Sequence, residues 1–255
     1  MQYLVPVSMD NNVNLPDNII ESVRNELNHE IVGYDSIKKL IIKIIEAGIN
    51  KPNLKKVNLL LTGEKSTGKT AIMDAMIKGI GEQYCIKYDA SMATRVGLLD
   101  HLFTFKDRLS SIRFIIFDEI DKMNKLHQYG ILNCVESGIM SETKFKRHRD
   151  IDVRGSTFFG TSNEIDNVYA PLRSRFLVLN MPKYSESEFK TVSIRLLNRR
   201  LNLPMSRCEA ILKVVTTELE DKTIRDILRL GTLCNNSQDI SDMIQVFKDH
   251  RLDFD

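Results

Sequence analysis

Apolar and polar positions along this chain follow two regimes that meet near residues 181–182. Before that point, short apolar and β-branched runs alternate with stretches of helical period. Residues 57–61, 84–88, 112–117, 157–160 and 176–179 read as strands, and continuous apolar runs of this kind belong to strands covered on both faces. Helices are predicted near residues 19–27 and 70–79. After the boundary the patterns are helical, over 185–200, 205–219, 223–234 and 237–250, with Ser185 and Glu188 spaced as a capping box. The alternation predicts an α/β fold, a parallel sheet between two helical layers, followed by a small all-helical unit. The expected division is a polar lead and first helix over 1–28, an α/β domain over 29–182 and a helical lid over 183–255.

Chemistry enters between the first strand and the helix after it, where Gly63-Glu64-Lys65-Ser66-Thr67-Gly68-Lys69-Thr70 precedes Ala71. The pattern is G-x-x-x-x-G-K-[ST]. Glycines let the backbone wrap an anion with its N–H groups inward, and the following helix turns its positive end to the same place. Lys69 supplies a point charge for the β- and γ-phosphates, and Thr70 a hydroxyl for Mg²⁺. The predicted ligands are therefore ATP and Mg²⁺.

A second motif closes the run at 112–117, which ends in Asp118-Glu119-Ile120-Asp121. The carboxyl end of a buried parallel strand opens at the ligand crevice of such a sheet. Asp118 is placed there to hold Mg²⁺, and Glu119 to polarise an attacking water. Taken alone, the same residues also read as a strand followed by a polar helix cap.

With both motifs in view, the chain resembles the AAA+ ATPases, a P-loop NTPase family. Phe114 to Asp121 looks like their Walker B motif. Ile31-Val32-Gly33-Tyr34 is similar to the segment that packs against adenine, so the resemblance gives Ile31, Val32 and Gly33 to nucleotide binding. Asn163 stands where sensor 1 does, at the end of an apolar strand, though asparagine also commonly ends strands in turns. Pro171-Leu172-Arg173-Ser174-Arg175-Phe176 looks like the arginine-finger segment, with Arg175 the better match and Arg173 second; a surface ion pair is the alternative. Thr223-Ile224-Arg225-Asp226 looks like sensor 2, which would put Arg225 on phosphate from the lid. The likeness to RuvB-like members extends to residues 90–99 and 136–142.

The resemblance implies ATP hydrolysis and a homo-oligomeric ring, with a hexamer among the options. It also implies a hairpin before sensor 1, where Lys144, Lys146, Arg147 and Arg149 cluster around Phe145. In related motors that hairpin contacts DNA or a partner protein, and a basic tip of this kind would bind phosphates with strong salt dependence. A solvated tip has the same composition. Residues 92–97, Met-Ala-Thr-Arg-Val-Gly, lack the aromatic grip that protein-threading relatives carry in the matching loop. The chain is expected to have no room after its last helix for the winged-helix domain of bacterial RuvB. An adaptor protein could then supply DNA contact. Three roles stay open: a motor on DNA or a DNA-bound complex, a remodeller of a protein partner, and a clamp-loader-like subunit.

Composition narrows the setting. With 42% hydrophobic and 27% charged residues in 255, the chain can bury one sizeable core and a satellite. A formal net charge of +2 neither demands nor excludes nucleic acid. The N-terminus has no basic stretch leading into a long apolar one, and no apolar run reaches bilayer length, so a cytoplasmic protein without membrane contact is expected. Cys85, Cys134, Cys208 and Cys234 are scattered, without C-x-x-C or paired histidines, which predicts reduced structural thiols.

Overall fold

The computed structural model describes residues 15–51, 56–92, 95–105, 111–144, 147–219 and 222–250. It contains two compact units, one ending at Pro182 and one beginning at Lys183.

The first unit starts with two helices, α1 (Ile19–Glu30) and α2 (Asp35–Asn50). Then follow β1 (Leu59–Thr62), α3 (Lys69–Ile80), β2 (Cys85–Asp89), α4 (Arg95–Thr104), β3 (Phe114–Asp118) and α5 (Lys125–Ser137). A hairpin of β4 (Ile139–Lys144) and β5 (Arg147–Asp152) precedes β6 (Thr157–Ser162), the short α6 (Ala170–Arg173) and β7 (Leu177–Asn180). Five strands form one parallel sheet in the order β2-β3-β6-β1-β7, and β4 pairs with β5 alone in antiparallel fashion.

The apolar runs become strands because each face of the sheet has its own core. Leu59, Leu61, Phe114, Ile116 and Phe159 pack on one face with residues of α1, α2 and α3. Leu60, Ile115, Phe117 and Phe158 pack on the other, with Leu98, Leu99 and Leu102 of α4 and Ile131 and Leu132 of α5. Side chains alternate across the sheet while both sides stay dry, so residues 59–61 and 114–117 run without a polar interruption. Each such buried side chain contributes about 1.5–3 kcal/mol. The first layer is tight: a Cβ at Gly79 of α3 would lie 2.5 Å from the Val23 Cα of α1. Any larger residue there would push α1 away from α3.

Strand ends differ from the apolar runs by one or two residues, for a visible reason. Asn58 takes over the pairing at the base of β1, its Oδ1 accepting from Phe158 N at 3.0 Å and its Nδ2 donating to Arg175 O at 3.4 Å. Val57 before it is half exposed.

The second unit is helical, with α7 (Glu186–Leu201), α8 (Met205–Glu218), α9 (Ile224–Leu233) and α10 (Ser237–His250). Phe189, Leu197, Ile211, Val215, Ile227, Leu230 and Ile244 share its core. Ser185 and Glu188 form the capping box of α7, and Thr223 with Asp226 forms a second at α9.

All four cysteines are free and buried. Burial pushes the Cys85 and Cys134 thiols up to about 12, which leaves both protonated and inert at neutral pH. Among the described residues, no helix is long and apolar enough to cross a membrane.

Candidate nucleotide site

The phosphate-binding loop is shaped by residues that leave the right-handed half of backbone space. Gly63 has φ +145°, and a Cβ there would meet Met181 O at 2.4 Å, so only glycine fits. Ser66 at +68° and Gly68 at +96° follow. Left-handed turns of this kind in quick succession make a concave run of N–H groups suited to an anion. Lys69 begins α3 and is nearly buried. Its Nζ reaches back across the loop, donating to Gly63 O at 2.6 Å, Glu64 O at 2.7 Å and Thr67 Oγ1 at 3.3 Å. The cation thus holds the loop closed from inside. Lys65 and Thr67 complete the loop, and Ala71 follows on the first turn of α3.

The adjacent strands bring the acidic residues to the same end of the sheet. Asp118 ends β3 with one oxygen among hydroxyls: Thr70 Oγ1 donates to its Oδ1 at 3.2 Å, and Thr161 Oγ1 donates to the same atom. Its Oδ2 lies 3.3 Å from the Lys87 ammonium, which also donates to Asp74 Oδ1 at 2.6 Å. Burial works against the charge on Lys87, but the two carboxylates outweigh it and raise its pKa, so Lys87 is a cation. A threonine hydroxyl and a carboxylate in contact, with no sulfur or imidazole beside them, are hard oxygen donors of the kind Mg²⁺ prefers. Thr70 and Asp118 therefore fit that ion.

Glu119 leaves the strand in the left-handed region, φ +57°. Its N–H donates to Thr161 Oγ1 at 2.9 Å, while its Oε1 accepts from Asn163 Nδ2 at 3.2 Å. Lys69, Thr70, Asp118, Glu119 and Asn163 thus converge at the carboxyl ends of β1, β3 and β6. Three residues given no role in the sequence reading surround them. Thr161 links Asp118 to the Glu119 backbone. Asp121 accepts Asn163 N at 3.1 Å and Glu164 N at 3.2 Å, anchoring the turn that carries Asn163. Lys87 is the third. Asp121 lay within the quoted acidic motif, yet its partners become visible only once β3 and β6 are in register.

The other candidate residues belong to other elements. Ile31 is buried in the core that holds α3, and Val32 and Gly33 follow in the connector to α2, Gly33 at φ +72°. The Tyr34 hydroxyl ties this connector to Pro182 O at 2.8 Å. Arg173 Nη1 lies 3.4 Å from both Ile165 O and Asp166 Oδ1. Arg175 donates to Glu136 Oε1 at 2.6 Å and Ser174 Oγ at 3.1 Å. Its backbone is joined to Asn58, so the whole of β1, about 13 Å at 3.3 Å per residue, separates it from the loop of its own chain. There it lines a cleft of about 530 Å³ with Lys56, Arg154 and Glu136. Arg225 is exposed in the first turn of α9. Lys144, Arg147 and Arg149 lie on the two hairpin strands. Lys146, the side chains of those three and those of residues 92–96 fall outside the described residues.

Comparison with known proteins agrees with this geometry. The AAA family, described as the ATPase family associated with various cellular activities, matches residues 59–182. The Holliday junction branch migration complex subunit RuvB of Crocosphaera subtropica is 27% identical over 190 residues, covering 73% of this chain and 52% of its own length. The Lon protease of Malacoplasma penetrans is 21% identical over 202 residues, covering 71% of this chain and 26% of its own length. This chain therefore spans about half of the first relative and about a quarter of the second. Among solved structures, the Thermotoga maritima RuvB Holliday junction branch migration motor has a TM-score of 0.61 at 19% identity, covering 89% of this chain and 73% of that one. A point variant of the same protein has a TM-score of 0.62 at 19% identity, covering 86% and 72%. At that identity the structural likeness speaks for the fold. Motif, fold and family match together place an AAA ATPase domain over residues 59–182, in a chain that resembles RuvB.

Proposed function

We propose that the protein is a Mg²⁺-dependent ATPase that forms a ring of identical subunits and couples hydrolysis to work on DNA or a DNA-bound complex. The observation that carries the ring is the position of Arg175. It opens at the end of the sheet away from its own phosphate loop, which supports a role toward a nucleotide held by another copy. The cations that share its cleft, Lys56 and Arg154, suit a polyphosphate.

In the mechanism that follows, water attacks the γ-phosphate in line. Lys69 and the loop amides hold the triphosphate, Thr70 and Asp118 hold the ion, and Glu119 with Asn163 orients the water. Bound Mg²⁺ would draw charge from the β- and γ-phosphate oxygens. Arg175 of the next subunit exchanges Glu136 for the charge developing on the γ-phosphate. The exchange is cheap, because a half-exposed ion pair is worth about 0–1 kcal/mol, whereas an arginine finger is worth about 10³–10⁵ in rate. Ile31 to Gly33 flank the base.

Asp121 is the positioning residue of this site. Asp121→Ala frees the turn bearing Asn163, and a displacement of about 1 Å is enough to lower turnover about 10–100-fold. Nucleotide affinity should stay within about twofold, and comparing phosphate release with titration of a fluorescent ATP analogue reads both.

DNA is favoured as the substrate by the likeness to RuvB and by the basic hairpin carrying Lys144, Lys146, Arg147 and Arg149. The likeness to Lon protease supports the second reading, a remodeller of a protein partner. Steady-state ATPase measured with single-stranded, duplex and branched DNA at low and moderate salt separates them. Stimulation that weakens with salt, and is lost on neutralising the hairpin, supports the DNA motor. Hydrolysis indifferent to every DNA supports the remodeller. In either case, Arg175→Ala should lower turnover while leaving binding intact.

A further inference from the structure

Lys87 has no place in the motifs, yet it touches the residue at the centre of the site. It lies mid-strand on β2, an edge strand of the sheet, opposite Ile116 of β3, and Asp89 two residues on pairs with Asp118. Side chains two apart on a strand share a face, so the Lys87 stem runs toward the carboxyl end and meets Asp118 diagonally. Its ammonium stands between two carboxylates, 2.6 Å from Asp74 Oδ1 on α3 and 3.3 Å from Asp118 Oδ2.

The division of labour on Asp118 decides what Lys87 does. Oδ1 is held by the Thr70 and Thr161 hydroxyls, so the carboxylate keeps its orientation without Lys87. What Lys87 adds is charge, and it adds it to the oxygen the hydroxyls leave open. A monovalent cation there neutralises Asp118 and repels a divalent ion approaching the same group. Asp74 supplies the other half of the device, a carboxylate to which the ammonium is already bonded and to which it can retire.

We infer that Lys87 and Asp74 form a counter-ion pair that sets the Mg²⁺ affinity of the site: Lys87 neutralises Asp118 in the metal-free subunit and withdraws onto Asp74 when Mg²⁺ binds. The inference rests on the reading of Thr70 and Asp118 as the residues that hold the ion. It has a signature that a merely structural ion pair lacks, because breaking the pair from its two ends has opposite effects. Without Lys87 the site gains one negative charge and holds the metal more tightly. Without the Asp74 charge, Lys87 keeps Asp118 as its remaining carboxylate partner among the described residues, and the metal binds more weakly.

The test is a Mg²⁺ titration of fluorescent ATP-analogue binding, read by anisotropy so that hydrolysis is not required. The proteins are wild type, Lys87→Met, Lys87→Arg, Asp74→Asn and the Lys87→Met/Asp74→Asn double variant. Half-saturating Mg²⁺ should fall about threefold or more in Lys87→Met and rise by a similar factor in Asp74→Asn. Lys87→Arg should stay near wild type. The double variant should follow Lys87→Met, because Asp74 acts through the lysine. Side chains at both positions are partly exposed, 32% and 58%, so these exchanges spare the core, and thermal melting of the nucleotide-free proteins checks it. Shifts of the same sign in both single variants, or none in either, would overturn the inference if Thr70→Ala still weakens the Mg²⁺ dependence. If wild-type binding ignores Mg²⁺ and Thr70→Ala changes nothing, the metal reading itself falls, and this inference with it.

Discussion

Lys69→Ala should lose ATP binding, with affinity falling by at least about a hundredfold. The side chain does two jobs at once. Its Nζ donates to Gly63 O, Glu64 O and Thr67 Oγ1, so truncation removes the donor that these loop oxygens share. It also removes the cation that the motif directs at the β- and γ-phosphates. Each charge-assisted hydrogen bond is worth about 1.5–3 kcal/mol, and about 1.4 kcal/mol is tenfold in affinity. Losing two of them accounts for the hundredfold. Titration with a fluorescent ATP analogue measures the loss, and an unchanged circular-dichroism spectrum would show that the sheet is intact. Affinity within about threefold of wild type would mean that the loop holds phosphate through its amides alone.

Glu119→Gln should leave ATP bound and turnover reduced about 10²–10⁴-fold, the usual range for a lost general base. The separation follows from the geometry. The backbone at 119 is held by its N–H to Thr161 Oγ1, a bond that does not involve the side chain, and the amide can still accept from Asn163. Shape is kept and basicity is lost. Phosphate release under single-turnover conditions, paired with analogue binding, reads the two quantities separately. Turnover at the normal rate would falsify the assignment of Glu119 as the base.

Legibility in the sequence followed the range of the interactions involved. The inner strands β1, β3 and β6 appear as apolar runs because burial on both faces writes itself into consecutive residues. Lys69, Thr70, Asp118 and Glu119 could be picked out because their mutual geometry is set within a few residues of a strand end. Thr161 and Lys87 could not: their partner Asp118 is 43 and 31 positions away in sequence, and only the register of β3 with β6 and with β2 brings them together. α2 went unread for a different reason. Its six isoleucines give it the composition of a strand, while its burial, at Ile41, Ile42, Ile44 and Ile45, follows the helical period. Composition and period disagreed, and tertiary packing favoured the period.

The left-handed backbone at Glu119 has a consequence for how the protein can change. A side chain at φ +57° is disfavoured by about 1–2 kcal/mol relative to glycine. Selection for heat resistance alone would therefore favour glycine at this position, as would a consensus design guided by backbone preference. The result would be a sturdier protein that binds ATP and does nothing with it. On the reading of Glu119 as the base, glutamate at so unfavourable a backbone position trades melting temperature for turnover.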